Sequence, residues 1–114
     1  MKRGEVYEAR LDPVEGSEQG GTRPVIIVSR EAINLSSSLV IAVPCTTYRT
    51  IRRLYPSQIL IRAPDGGFVQ DTIALGEQLR AMSKTRLIRQ RGTLNSETLK
   101  QLEQALLITL DLLE

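Results

Sequence analysis

Two uninterrupted apolar runs, Pro24-Val25-Ile26-Ile27-Val28-Ser29 and Leu39-Val40-Ile41-Ala42-Val43, constrain this chain more than any other feature. Both are rich in β-branched residues, which lose rotamer freedom in a helix and pack well on a pleated surface. Neither alternates with polar residues, so each predicts a strand covered on both faces. With 114 residues to draw on, a chain buries roughly two thirds of its extended surface, enough for one core without disulfides or metals. The expectation is a single domain spanning residues 1–114.

Around these runs the pattern is mostly that of strands. Gly4 to Leu11 alternates apolar and polar side chains, as a half-buried strand does, and Asp12-Pro13 ends it. Val14 to Thr22 carries Gly16, Gly20 and Gly21 among polar residues and reads as a mobile surface loop. Arg30 to Asn34 has room for one helical turn. Residues 46–56 form a second polar loop, then Gln58 to Ile61 a short strand. Pro64-Asp65-Gly66-Gly67 supplies the turn of a hairpin onto Asp71 to Leu75. Gln78 to Met82 continues as a strand, Ser83 caps a short turn through Arg86, and Ile88 to Thr93 is the final strand. Asn95 or Ser96 caps a helix to Leu113 whose stripe is Leu99, Leu102, Leu106, Leu110 and Leu113. Leu107, Ile108 and Leu112 widen that stripe near its end. Either the helix end lies deep in the core, or a second subunit covers it. The fold class is therefore α+β, mainly β: several antiparallel strands closing on themselves with a C-terminal helix packed against them.

The composition removes whole classes of chemistry. There is no histidine, which excludes imidazole acid/base catalysis, Ser-His-Asp and Cys-His nucleophile systems, and zinc sites that need imidazole. The single cysteine, Cys45, cannot form an internal disulfide, which points to a reducing, cytoplasmic setting. No apolar run approaches the roughly 18 residues of a membrane span, and Met1-Lys2-Arg3 leads into Gly4-Glu5 without a signal-peptide core. The expectation is a cytoplasmic protein with no membrane partner.

Charge is unevenly placed. Residues 1–48 sum to −1, residues 49–91 to +6 and residues 92–114 to −3. Eight of the nine basic residues in the middle segment are arginine, the side chain suited to forked phosphate recognition and to stacking on bases. That favours a nucleic-acid or other polyanion surface over a merely solvated basic face.

Cys45 stands where a nucleophile could be presented, but the chain has no imidazole to activate it, so a small buried hydrophobe is the better reading. Asp65, Asp71 and Glu77 lack ligand spacing and read as exposed or capping carboxylates. Gly20-Gly21 is not a phosphate loop, since no Gly-Lys-Ser/Thr follows. Arg23 sits between a glycine-rich loop and a buried strand, and Pro24 holds it extended. From there it serves either an oxyanion or phosphate, or an ion pair with Glu18. Thr46 and Thr47 bring hydroxyls to the same rim.

Three blocks carry a family resemblance: Gly16-Ser17-Glu18-Gln19-Gly20-Gly21-Thr22-Arg23-Pro24-Val25, Val43-Pro44-Cys45-Thr46-Thr47, and Asp71 to Arg80. In order and spacing, and with the opening Arg3-Gly4-Glu5-Val6 and the terminal helix, the chain resembles the MazF/PemK toxin endoribonucleases. That resemblance implies a small SH3-like antiparallel β-barrel with short helices and a homodimer. It also implies sequence-specific, metal-independent cleavage of single-stranded RNA and an acidic, MazE-like antitoxin whose tail competes for the RNA groove. By position, Arg23 and Thr46 match the catalytic arginine and threonine. Ser17, Glu18, Gln19 and Gln78 match the groove lining, where Thr47 and Arg80 are also placed. Arg49, Arg52 and Arg53 belong to this chain's own loop after Thr47, and that loop helps choose sequence.

Such chemistry needs neither histidine, metal nor other cofactor. The RNA 2′-OH attacks the adjacent phosphorus, leaving a 2′,3′-cyclic phosphate and a 5′-OH, while the protein orients the groups and stabilises charge. The resemblance gives Arg23 an acid/base role, but guanidinium holds its proton to pH above ~12, so Glu18 or water stands as an alternative base. Two other functions were weighed. A gyrase-poisoning toxin of the CcdB type resembles a chain ending Trp-Gly-Ile, whereas this one ends Leu112-Leu113-Glu114 and has no tryptophan. A nuclease-dead regulator would be expected to have lost Arg23 or Thr46, and both are present.

Overall fold

The computed structural model describes residues 1–50 and 53–113. Seven strands and two helices follow one another as β1 (Glu5–Arg10), β2 (Thr22–Ile27), α1 (Glu31–Ser36), β3 (Leu39–Thr47), β4 (Gln58–Ile61), β5 (Thr72–Leu75), β6 (Arg80–Ser83), β7 (Leu87–Thr93) and α2 (Ser96–Thr109). Short 3-10 turns occupy Asp65–Gly67, Gly76–Gln78 and Lys84–Arg86. All pairings are antiparallel, in the order β4-β5-β3-β2-β1-β7, with β6 also paired to β3. The α+β expectation is met.

β3 is the spine of the sheet. One of its sides takes β2 at Ala42–Pro44, and the other takes β6 at Leu39–Ala42 and then β5 at Cys45–Thr47. Alternation sends its side chains to two separate clusters: Val40 and Ala42 pack with Val25, Ile27 and Met82, while Val43 and Cys45 pack with Ile26, Phe68 and Leu102. Residues of both signs of the alternation therefore have to be apolar, which is why the two runs read continuously.

The sequence predicts β6 beginning at Gln78, and here the structure differs. Cys45 pairs with Ala74, but Ala42 pairs with Arg80. Three extra residues, Gly76–Gln78, are thus thrown out as a turn between two strands that otherwise lie end to end along β3. The turn presses so closely on the Ser57 carbonyl that a Cβ at Gly76 would collide with it, so glycine is required there. β3 also runs four residues further than its apolar run, through Pro44 and Cys45 to Thr46 and Thr47.

At its start, α2 is fastened by Asn95, whose side chain accepts from the Thr98 N–H at 2.8 Å. Asp65 accepts from the Asn95 N–H at 2.9 Å and from the Thr98 hydroxyl at 2.6 Å, tying the Pro64–Gly67 turn to the helix. The helix ends at Thr109 and not at Leu113. Asp111 takes a left-handed φ of 56°, and the N–H groups of Asp111 and Leu112 return to the carbonyls of Ile108 and Leu107 at 3.1 and 2.8 Å. This is a Schellman closure, usually signalled by glycine or asparagine. Leu102 and Ala105 are buried, but Leu110, Leu112 and Leu113 are 51%, 63% and 45% exposed. The helix end therefore does not lie deep in the core, and that alternative is overturned.

Gly67 has φ +79° and lies against the Arg91 carbonyl, with no space for a Cβ. Gly67→Ala is expected to destabilise the fold by about 3 kcal/mol or more, from left-handed strain plus displacement of β7. Urea unfolding measures this, and an unchanged midpoint would contradict the packing described.

Candidate active site

The first cavity opens where β2 and β3 part. β1 goes on pairing with β2 as far as Arg10–Thr22, but the β2–β3 ladder stops at Val25–Pro44. Pro24 has no N–H with which to extend a ladder. Continuing the register by two residues sets Arg23 opposite Thr46. A cavity of about 140 Å³ lies there, lined by Arg23, Thr46, Thr47, Phe68, Gln70 and Arg91 among others, none of them acidic. The Arg23 Nε donates to the Gly20 carbonyl at 3.0 Å, which fixes the plane of the guanidinium and leaves its terminal N–H groups for a ligand. Cys45 also borders the cavity but is fully buried. Burial pushes its thiol far above the ordinary value, so it stays protonated and acts as a packing residue.

The second cavity, about 320 Å³, is lined by Glu18, Gln19, Pro44, Glu77, Gln78 and Arg80. The extruded turn before β6 creates it. Gln78 reaches the glycine-bearing loop, accepting from the Gln19 N–H at 2.8 Å and donating weakly to the Ser17 carbonyl at 3.5 Å. Ser17, Glu18, Gln19, Gln78 and Arg80 are therefore brought together by the structure. The side-chain oxygen of Gln19 is buried there without a partner among the described residues. Glu77 is engaged by the Ser57 hydroxyl and the Gln58 amide at 3.0 and 2.8 Å.

Glu18 corrects one expectation. Its carboxylate accepts from the Glu15 N–H at 2.8 Å, and no ion pair with Arg23 is found among the described residues. It lines the second cavity and not the one holding Arg23 and Thr46.

The basic middle segment divides by role. Arg62 is paired to Asp71 at 3.0 Å, and Arg89 and Arg91 to Glu8 at 3.3 and 3.4 Å. Arg86 donates to the carbonyls of Arg10 and Asp12 at 2.9 and 2.6 Å, holding the chain end of β1. Arg49 and Arg53 are exposed on the segment after β3. Arg52 lies outside the described residues. Arg91 escaped the sequence reading as a site residue, because nothing in its spacing shows that β7 returns beside the end of β2.

Two carboxyls are held below their usual range. Hydrogen bonding from Arg89 lowers Glu8, with the Arg89 and Arg91 charges adding to it. The Ala63 N–H lowers Asp71, followed by Arg62. A carboxyl with a depressed folded pKa adds stability that is present above its unfolded value, about 4, and lost as pH falls through the folded value. The melting temperature is expected to fall below about pH 4, and Glu8→Gln with Asp71→Asn should flatten that part of the profile. An unaltered profile in the double variant would contradict these two pairings.

The fold of this chain recurs in known proteins. A family model described as the PemK-like, MazF-like toxin of type II toxin-antitoxin systems matches residues 2–110. The chain belongs to that family. It is 37% identical over 117 residues to "Endoribonuclease MazF9" of Mycobacterium tuberculosis, covering 98% of each chain. To "Endoribonuclease EndoA" of Bacillus subtilis it is 38% identical over 114 residues, covering 100% of this chain and 97% of the relative. Among solved structures it resembles a mycobacterial endoribonuclease in complex with its cognate antitoxin, with a TM-score of 0.82, 25% identity and coverage of 100% and 98%. MazF from Deinococcus radiodurans gives a TM-score of 0.82 at 25% identity, covering 97% and 96%. The family, the fold class and the enzyme class expected from the sequence agree with these relatives.

Proposed function

We propose that this chain is an endoribonuclease toxin that cuts single-stranded RNA at short sequence motifs without a metal ion, and that a cognate acidic antitoxin neutralises it in the cytoplasm. The observation that carries this reading is the first cavity, where Arg23 and Thr46 line one space with no carboxylate among its lining residues. Such a space attracts a phosphodiester and repels nothing in it. The 2′-OH of the bound nucleotide attacks phosphorus, a new O2′–P bond forms, the P–O5′ bond breaks, and the 5′ oxygen takes a proton from water and leaves as a hydroxyl. Arg23 offsets charge building on the equatorial oxygens, and Thr46 donates a hydrogen bond to the same phosphate. With Glu18 in the neighbouring cavity, water is the base this arrangement favours for the 2′-OH proton. Ser17, Glu18, Gln19, Gln78 and Arg80 form the adjoining groove, with Thr47, Arg49 and Arg53 along the RNA path.

Among the described residues, no group of three or more Asp, Glu, Cys or His is placed to hold an ion. No helix among the described residues is long and apolar enough to cross a membrane. The test is incubation of the purified protein with a long single-stranded RNA. Cuts at a small set of recurring sites are expected. Intact RNA, with gyrase inhibited instead, would favour the CcdB-type alternative.

The exposed Ile108, Leu110, Leu112 and Leu113 leave more apolar surface on the α2 end than a small monomer usually presents, and support a homodimer that covers it. Sedimentation at micromolar concentration should give twice the 12.7 kDa chain mass. A monomer alone would contradict this.

A further inference from the structure

We infer that Arg91 is a second phosphate-binding residue of the Arg23 cavity, held in place by Glu8 and Phe68; this rests on the endoribonuclease reading. Arg91 lies on β7, a strand that meets β2 only through β1, yet its side chain lines the same cavity as Arg23 and Thr46. Two contacts fix it there. Its Nη1 lies 3.4 Å from a Glu8 carboxylate oxygen, and its guanidinium carbon sits 5.8 Å from the centre of the Phe68 ring. Only 19% of the side chain is exposed, so the group has given up most of its rotamer freedom before any ligand arrives.

Glu8 does not cancel this charge. Its single carboxylate is shared between Arg89 and Arg91, so the trio keeps a net charge of +1. The lining of the cavity contains two arginines and no acid, and the buried Phe68 ring forms part of its wall. Arg89 takes up Glu8 through Nε and a terminal nitrogen, while Arg91 spends one terminal nitrogen on it. The remaining N–H donors of Arg91 stay available to oxygen acceptors. A planar cation pre-placed across a small cavity from a second one is suited to gripping an RNA backbone phosphate. Arg91 contributes affinity in this scheme, and Arg23 with Thr46 contributes the chemistry.

The test compares wild type, Arg91→Met and Arg91→Lys. Methionine keeps an apolar stem over Phe68 and removes the charge; lysine restores the charge. Binding is measured by titration against a target RNA made uncleavable by deoxyribose at the cut site, at several salt concentrations, with thermal unfolding of each variant alongside. Arg91→Met is expected to weaken binding about tenfold and to lower the slope of log affinity against log salt by about 0.7, the loss of one phosphate contact on a single strand. Arg91→Lys should recover the slope. Single-turnover cleavage at saturating protein is followed for each variant, so that a loss of affinity is read separately from a loss of turnover. Should the methionine variant fold poorly, Arg91→Gln, which keeps a polar side chain beside Glu8, takes its place with the same expected loss of affinity and slope. Wild-type affinity and salt slope in a folded Arg91→Met protein would overturn the inference and leave Arg91 as a structural partner of Glu8. Failure of the wild type to cleave the all-ribose RNA would instead overturn the endoribonuclease reading.

Discussion

Arg23→Ala is expected to lower single-turnover RNA cleavage by ~100-fold or more while leaving the fold and much of the RNA affinity intact. The size follows from what is removed: one preorganised charge donor at the point where the phosphate gains negative charge. Stability should hardly change, because Arg23 is exposed and its side-chain hydrogen bond to Gly20 ties a surface loop. Affinity should persist because other cations remain along the RNA path. Thr46→Val serves as a control of shape, since it removes only a hydroxyl; it should lower turnover more than affinity. Stopped reactions at saturating protein, paired with equilibrium binding, separate the two quantities. Wild-type cleavage by Arg23→Ala would reduce Arg23 to a loop anchor.

The second large effect lies in the substrate. Replacing ribose by deoxyribose at the nucleotide 5′ to the scissile phosphate should abolish cleavage with binding retained. No side chain in the first cavity is an activated nucleophile: Cys45 is fully buried and its thiol is kept protonated by that burial, and the lining gives the Thr46, Thr47 and Thr72 hydroxyls no carboxylate or imidazole as a base. Gel analysis of a singly substituted RNA decides the point. A cut at the substituted position would mean that the attacking oxygen comes from elsewhere.

Much of this arrangement was legible in the sequence, because apolar pattern and turn chemistry are local signals. The two β-branched runs became β2 and β3 with both faces covered, and Asn95 capped α2 as its type and position required. What escaped was set by pairing across the sheet. The three-residue turn at Gly76–Gln78 arises because β5 and β6 share one side of β3 out of step, and no residue type announces that. The Schellman closure at Asp111 escaped because aspartate there is a rare substitute for glycine. Arg23 and Thr46 were both named from their positions relative to strands, but their shared cavity depends on where the β2–β3 ladder stops. Glu18 and Arg91 exchanged prominence for the same reason. Sequence proximity favoured Glu18 as a partner of Arg23, whereas the fold gives Glu18 to the Gln78 cavity and brings Arg91 across from β7.

The central claim is that the protein positions RNA for attack by its own 2′-OH and supplies charge stabilisation without a metal. The most direct measurement is the chemistry of the ends produced when the purified protein cuts a long single-stranded RNA in excess EDTA. Cleavage undiminished by the chelator, with 2′,3′-cyclic phosphate upstream and 5′-OH downstream of every cut, is the predicted result. Loss of cleavage in EDTA, or products bearing 3′-OH and 5′-phosphate, would contradict it.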